Sequence, residues 1–193
     1  MLASVRPMRT LPATLLILAL ATSPALAIVH KATGFGVEPP FPLTAQAIRY
    51  PGSDVTFGIV NVGKPTPPPG DDYLCLIRFN LPGQVTRSLD QAGINALFAS
   101  EQYRDLAVAN AAQNFQFSRS STFDERGMTG LEMVGAPAKG RRGAEDVRLF
   151  ISLFSSPMGS VSMSCATTAD QIDSATEVFR ALRHTIILPK GPE

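Results

Sequence analysis

Alternating apolar and polar residues predict β-strands along most of the chain. The run 147–154 is apolar at both alternating sets of positions, which predicts a central strand buried on both faces. Two further runs have one apolar face each: Cys75 shares its face with Tyr73, Ile77 and Phe79, and Cys165 shares its face with Val161 and Met163. The other predicted strands cover 34–37, 45–50, 54–62, 115–123 and 128–136, with turns at 51–52, 124–127 and 156–159.

Helical periodicity and capping residues predict helices in two places. Ser88 and Gln91 have the spacing of a capping box, which predicts a helix whose apolar face is Leu89, Ala92, Ala96 and Leu97. Ser100 is predicted to cap a second helix. Thr168 and Gln171 repeat the capping-box spacing before a terminal helix that ends near His184. Its predicted buried stripe is Ile172, Ala175, Phe179 and Leu182.

This order of elements predicts an α+β fold. Strands joined as hairpins form an antiparallel sheet, and amphipathic helices bury their apolar stripes against it. We expect an antiparallel β-sheet of about six strands covered by helices, in a single domain over residues 28–193.

The first 27 residues have the pattern of a cleavable secretory signal peptide. Arg6 and Arg9 precede an apolar run from Leu11 to Ala21, and a small-residue exit ends at Ala27. The alternative is an uncleaved anchor, but the run is short for a bilayer core of about 30 Å. We therefore expect export to the periplasm, with cleavage after Ala27 and no transmembrane segment in the mature chain.

Composition narrows the possible partners. The chain has 17 Lys and Arg residues against 16 Asp and Glu residues, and residues 1–27 contribute two of the arginines and no acid. Because a nucleic-acid binder needs a basic excess to neutralise phosphates, we expect no nucleic-acid partner. A hydrophobic content of 45% argues against a disordered chain.

Cys75 and Cys165 are the only cysteines, and an exported chain meets oxidising conditions. Both lie on the apolar face of a predicted strand, so a structural disulfide is favoured over two buried thiols. A catalytic redox pair is disfavoured because the cysteines lack the Cys-x-x-Cys spacing.

Residues that could carry chemistry are few and scattered. His30 and His184 are the only histidines, and neither has neighbours at metal-ligand spacing, so we expect no metal and no cofactor. The acidic pairs 71–72, 124–125 and 145–146 fall in predicted turns, where solvated side chains are the usual outcome. The serines between 155 and 164 lack a nucleophile-elbow motif, and no catalytic residue is assigned.

One loop carries candidate contact residues. Lys139, Arg141 and Arg142 lie in a glycine-rich connection between two predicted strands, where backbone N–H groups and arginines can bind anions. The alternative is a hairpin tip neutralised by the acids that follow it. The proline-rich loop 65–72 is a second candidate contact.

The opening 34–40, the predicted helix pair, the hairpin 147–167 and the closing Phe179–Arg183 together resemble PsbP-like and DcrB-like exported proteins. The resemblance covers the whole mature chain and implies an antiparallel sheet between helices, an α/β/α sandwich. It implies no catalytic residues.

These observations lead to one main functional hypothesis and two alternatives. The main hypothesis is a periplasmic, non-catalytic accessory or binding module that acts on a protein or a small ligand through a surface or a groove beside the sheet. The alternatives are a small hydrolase with a serine or carboxylate site, which would need a polar pocket containing His184, and a carrier of an apolar ligand, which would need an internal cavity.

Overall fold

The computed structural model describes residues 26–62, 72–138 and 144–190. Ten strands and four helices occur in this part of the chain. Their order is β1 (Ile28–Val29), β2 (Gly36–Val37), β3 (Leu43–Ile48), β4 (Val55–Asn61), β5 (Cys75–Asn80), α1 (Gln84–Arg87), α2 (Gln91–Ala99), α3 (Glu101–Ala111), β6 (Phe115–Glu125), β7 (Met128–Pro137), β8 (Val147–Ser156), β9 (Gly159–Thr168), α4 (Ile172–His184) and β10 (Ile186–Ile187).

The main sheet has seven antiparallel strands in the order β3-β4-β5-β9-β8-β7-β6. It consists of two meanders, the first formed by β3, β4 and β5 and the second by β6 to β9. Within each meander, strands that are consecutive in the chain pair with one another. The two meanders meet only where β5 pairs with β9, with Cys75 opposite Cys165.

Each face of the sheet has its own hydrophobic core. On one face, α4 packs on β8 and β9 and buries Phe179 and Leu182 against Phe150 and Met163. On the other, α2 lies over β7 and β8 and buries Ile94 and Phe98 against the residues Leu131, Met133 and Ile151. The α+β class and the sheet between helices are therefore confirmed, with one strand more in the main sheet than predicted.

A small second sheet joins the two ends of the described chain. β2 lies between β1 and β10, so Val37 pairs with both Ile28 and Ile186. Phe35, just before β2, stacks on Phe57 and Phe79 of the main sheet, with ring centroids 5.7 and 4.7 Å away. Neither β1 nor β10 was predicted, because two-residue strands leave no alternation to detect.

The helix ends differ from the predicted caps in two of three cases. Ser100 does cap α3, since its Oγ accepts a hydrogen bond from Tyr103 N. The cap of α2 is Asp90 rather than Ser88, because the Asp90 carboxylate accepts from Gly93 N at 2.8 Å. α4 begins after Gln171 with no side-chain cap, so the predicted capping box from Thr168 is wrong.

Of the predicted buried face of this helix, Leu89 does pack against the core on this side of the sheet, but the two alanines do not. Ala92 and Ala96 are exposed, while Ile94 and Phe98, one turn apart, face the sheet. The helix begins two residues later than a Ser88 cap would place it, and the bulkier side chains supply the contact. In α4 the predicted stripe is confirmed: Phe179 and Leu182 are buried, and Ile172 and Ala175 pack against the same core.

The turn between β6 and β7 lies within the predicted range 124–127 but consists of residues 126 and 127 only, because β6 extends through Glu125. Arg126 and Gly127 both have positive φ, 53° and 78°, which is the conformation of a two-residue type I′ hairpin turn. The Arg126 side chain then donates to His184 O and Ile186 O, each at 3.0 Å, and so ties this turn to the end of α4 and to β10. None of the described helices is long and apolar enough to cross a bilayer.

Candidate functional site

The predicted disulfide lies at the junction of the two meanders. Cys75 and Cys165 face each other on β5 and β9 with their Cα atoms 4.0 Å apart, and both side chains are buried. Phe150 of β8 lies opposite Cys165 on its other side. The bridge is therefore part of the core beneath α4, in keeping with a structural role.

β5 and β9 are buried on the face beneath α4 and partly exposed on the opposite face. We call this second surface the open sheet face. It consists of Leu76 and Arg78 on β5, Ser162 and Ser164 on β9, and the nearby Tyr50 and Tyr73. The open sheet face lies beside the helix pair α2 and α3, which packs on β6, β7 and β8 instead.

Arg78 is at the centre of the open sheet face, opposite Thr56 on β4 and Ser162 on β9. Its Nε is buried and has no hydrogen-bond partner in the described part of the chain. Within the ranges that the structure describes, no carboxylate forms an ion pair with its guanidinium. The Cζ atom lies 5.4 Å from the centre of the Tyr50 ring, within the range of a cation–π contact.

Tyr73 covers the neighbouring part of this face. Its ring lies on Gly58 of β4, where even a Cβ atom would collide with it. The sequence-based placement of Tyr73 on the face of Cys75 is therefore wrong. β5 begins only at Cys75, and it is Leu74 that packs against the core beneath α4.

Two serine hydroxyls complete the open sheet face. Ser162 is opposite Arg78, and Ser164 is opposite Leu76. Neither hydroxyl is hydrogen-bonded to another residue of the described chain. Among the described residues, this surface thus combines an arginine without an acidic partner, two hydroxyls without hydrogen bonds and two tyrosine rings, a set that can hold a polar ligand.

A second group of charged residues is buried between α4 and the strands β6, β7 and β8. The Arg183 guanidinium donates to Glu125 Oε2 at 2.8 Å and to Glu132 Oε2 at 3.1 Å. All three side chains are at most 7% exposed, and the guanidinium stacks on the Phe123 ring with Cζ 3.6 Å from its centre. Arg180 forms two further hydrogen bonds with Glu132.

The charges of this cluster compensate one another. Burial alone would raise the pKa of Glu132, but hydrogen bonds from Arg180 and Arg183 outweigh it and lower that pKa below its usual value. The hydrogen bond to Glu132 likewise raises the pKa of Arg180. The sequence-based expectation that Glu125 is a solvated turn residue is wrong, because β6 extends through it and α4 covers it.

The two histidines take part in local structure. His30 Nδ1 lies 3.1 Å from Thr33 Oγ1 in the turn between β1 and β2. His184 Nδ1 lies 3.0 Å from Glu125 Oε1 at the rim of the buried cluster, and its side chain is 59% exposed. Ser152 is fully buried and accepts from Arg183 at 3.4 Å, so this serine and His184 do not face a common pocket.

Shallow clefts open at the surface of the described chain. One, of about 470 Å³, lies at the β6–β7 and β8–β9 turns beside Met128, Met158 and Leu188. Another, of about 410 Å³, lies between α3 and Leu153. Neither is an internal cavity among core phenylalanines, the feature that carriage of an apolar ligand would require.

The predicted contact loop lies outside the described residues. This applies to Lys139, Arg141 and Arg142, and to the proline-rich loop except its last residue, Asp72, which is exposed. As a result, these candidates and the open sheet face are independent proposals for where the protein binds.

Sequence reasoning missed both the open sheet face and the buried cluster. A single arginine in an alternating strand, such as Arg78, has the pattern of an ordinary solvent-facing position. Glu132 and Arg183 are far apart in sequence, and only the sheet register and the packing of α4 bring them together. The one available signal was Glu132 itself, a charge within the apolar strand β7.

Comparison with known proteins gives structural matches only. No family model and no curated protein sequence matches the chain. Several solved structures are similar to it, among them the following three. PsbP from the cyanobacterium Synechocystis sp. PCC 6803 has 11% identity and a TM-score of 0.48, and the alignment covers 84% of this chain and 91% of that one. LpqN of Mycobacterium tuberculosis, described as involved in cell envelope biogenesis, has 13% identity and a TM-score of 0.49, with 86% and 90% covered.

The third is protein PA94 from Pseudomonas aeruginosa, of unknown function and described as a putative regulator. It has 11% identity and a TM-score of 0.43, with 86% of this chain and 99% of that one covered. A PsbP protein is thus among the structures that this chain is similar to, as the sequence resemblance predicted.

Proposed function

We propose that the protein is an exported, non-catalytic accessory or binding module that binds its partner or ligand on the open sheet face. The observation that carries this proposal is the state of Arg78. A partly buried guanidinium loses hydration, and folded proteins ordinarily compensate the loss with an acid or a carbonyl. Here that compensation is absent among the described residues, so a bound anion is the natural partner.

The buried cluster supports the non-catalytic part of the proposal. Glu125 and Glu132 are the buried carboxylates of the described chain, and both are bonded to arginines of α4. Glu132, held as an ion by two guanidinium groups, is a poor general acid or base. The cluster therefore serves to fix α4 on the sheet.

Export is supported by the sequence and by two features of the fold. The signal-peptide pattern ends at Ala27, and β1 begins at the next residue, so cleavage there would leave the described fold whole. Leu26 just before it is 89% exposed. A disulfide is typical of proteins that fold in an oxidising compartment.

The test is native mass spectrometry of protein expressed with its leader in a bacterium that has a periplasm. We expect periplasmic protein that starts at Ile28, with added mass from a ligand or partner. Ser162→Tyr fills the open sheet face next to Arg78 and should abolish the added mass.

Ser120→Tyr on the exposed edge strand β6 is the matched control, and it should leave the added mass unchanged. Added mass that survives Ser162→Tyr would show that binding occurs elsewhere. Protein that retains its leader in the cytoplasm would contradict the export part of the proposal.

A further inference from the structure

We infer that the open sheet face binds a small organic anion, with a carboxylate or phosphate on Arg78 and a flat apolar group against the tyrosines. This inference rests on the proposed function, because it assumes that the open sheet face is the binding surface. It goes further by naming the chemical class of the ligand.

The uncompensated charge of Arg78 is the reason to expect that the ligand is an anion. Asp54 lies near the same end of β4, but its Oδ2 accepts from Leu81 N at 2.7 Å, and it forms no ion pair with Arg78. A guanidinium offers several N–H donors in a planar fork that fits carboxylate and phosphate oxygens. Because the group is partly withdrawn from water, its attraction to an anion is stronger than at a fully exposed site.

The hydroxyls of Ser162 and Ser164 extend the donor set. They lie on β9 directly opposite Arg78 and Leu76, on the same face, and cross-strand neighbours place their Cβ atoms about 5 Å apart. An anion bound to Arg78 is therefore within reach of a second donor. The strand pairing and the disulfide on the opposite face hold β5 and β9 in this register.

The two tyrosine rings are the reason to expect that the ligand carries a flat apolar group. Tyr50 is 40% exposed beside the guanidinium, and the Tyr73 ring lies on Gly58, diagonal to Arg78 across β4 and β5. Leu76 adds an aliphatic contact between Gly58 and Ser164. Aromatic rings beside a fixed charge are typical of sites for ring-bearing ligands.

The tyrosines provide the measurement. The chain has three tyrosines, and the third, Tyr103 of α3, packs on Phe98 of α2, away from the open sheet face. In ¹H–¹³C NMR spectra of the mature, oxidised protein, ring signals of Tyr50 and Tyr73 report on the site, and those of Tyr103 serve as an internal control. The probes are benzoate and phenyl phosphate, with benzyl alcohol as the uncharged match.

We expect saturable shifts of Tyr50 and Tyr73, but not of Tyr103, with at least one of the two aromatic anions. Which anion binds more tightly distinguishes a carboxylate from a phosphate ligand. Benzyl alcohol should bind about tenfold or more weakly, since a charge-assisted hydrogen bond to the guanidinium is lost. Arg78→Gln should weaken binding of the anion by a similar factor. Arg119→Gln, on the opposite edge strand, should leave the affinity unchanged.

Three results would overturn the inference: no saturable shift with either anion, equal binding of benzyl alcohol, or unchanged affinity in Arg78→Gln. The Arg78→Gln protein should fold, because no described residue depends on Arg78 for a hydrogen bond, and unchanged Tyr103 signals verify this. If the anions fail but Ser162→Tyr still removes bound mass from the periplasmic protein, the proposed function stands and only the ligand class is wrong.

Discussion

At the scale of single residues, two arginines show opposite solutions to the burial of a charge. Arg183 is 6% exposed and is bonded to two carboxylates and a serine hydroxyl. Arg78 is partly buried without any such partner. Because desolvating an unpaired charge is costly, this state of Arg78 is the basis of the proposed anion site.

Glu132 gives a prediction at this scale. Its lowered pKa means that the unfolded chain takes up a proton at higher pH than the folded chain. The stabilisation from Glu132 is therefore complete above the ordinary carboxyl pKa of about 4.5 and is lost as pH falls through the lower, folded value. We expect Glu132→Gln to destabilise the protein by about 3 kcal/mol at pH 7, because Arg183 loses one of its two charged partners.

Urea unfolding at pH 7 and at several acidic values measures both effects. The mutant should lose less stability on acidification than the wild type does. Glu177→Gln is the matched control: Glu177 also pairs with Arg180, but its side chain is 73% exposed, so a change below about 1 kcal/mol is expected. Equal losses for the two mutants would contradict a buried, compensated Glu132.

At the scale of elements, the two faces of β5 and β9 differ in burial and in composition. On one face the disulfide, Phe79 and Met163 are buried in the core beneath α4. The other face carries Arg78 and the two serines. β4 contributes to both, because Phe57 and Ile59 face the core and Gly58 supports the Tyr73 ring. The strands of the core thus position Arg78 and the two serines directly, whereas Tyr50 and Tyr73 lie just outside the ends of β3 and β5.

Gly58 gives the prediction for this scale. Gly58→Ala should destabilise the protein by about 1–3 kcal/mol, because its Cβ displaces the whole Tyr73 ring. In a Tyr73→Ala background the same substitution should lower the free energy of unfolding much less, because the ring that the new Cβ would meet is absent. A double-mutant cycle in urea measures this coupling, and Gly83→Ala, whose Cβ meets open space, is the control. A Gly58→Ala cost that is the same in both backgrounds would rule out this packing.

The elements themselves were largely predictable because alternation and periodicity are local. The double-faced strand β8, the hairpin at 126–127 and the buried stripe of α4 all follow from residues close in sequence. What failed depends on tertiary contacts: the face of α2, the direction of Tyr73, and the burial of Glu125. The charge pairing of Glu132 with α4 and the isolation of Arg78 could not be predicted, because both depend on which strands become neighbours.

At the scale of the whole molecule, the disulfide connects segments 90 residues apart. We expect Cys75→Ser combined with Cys165→Ser to lower the free energy of unfolding by up to about 4 kcal/mol, because the unfolded chain gains the freedom that the bridge removes. Urea unfolding of the oxidised wild type and the double variant measures the loss.

The wild-type bridge should also resist reductant until the protein unfolds, since both sulfur atoms are buried beneath α4. Non-reducing peptide mapping of periplasmic material verifies the bond first. Free thiols at both positions in that material would show that the disulfide does not form, and would contradict this prediction.

The meeting of the two meanders at β5 and β9 has a consequence for how the chain reaches its fold. Each meander closes only hairpin loops, which are entropically cheap and fast to form. The β5–β9 pairing has a high contact order, since helices α1 to α3 and three strands intervene, and such pairings slow folding. We therefore expect the two meanders of a reduced chain to form before they pair with each other, and the Cys75–Cys165 bond then links them covalently.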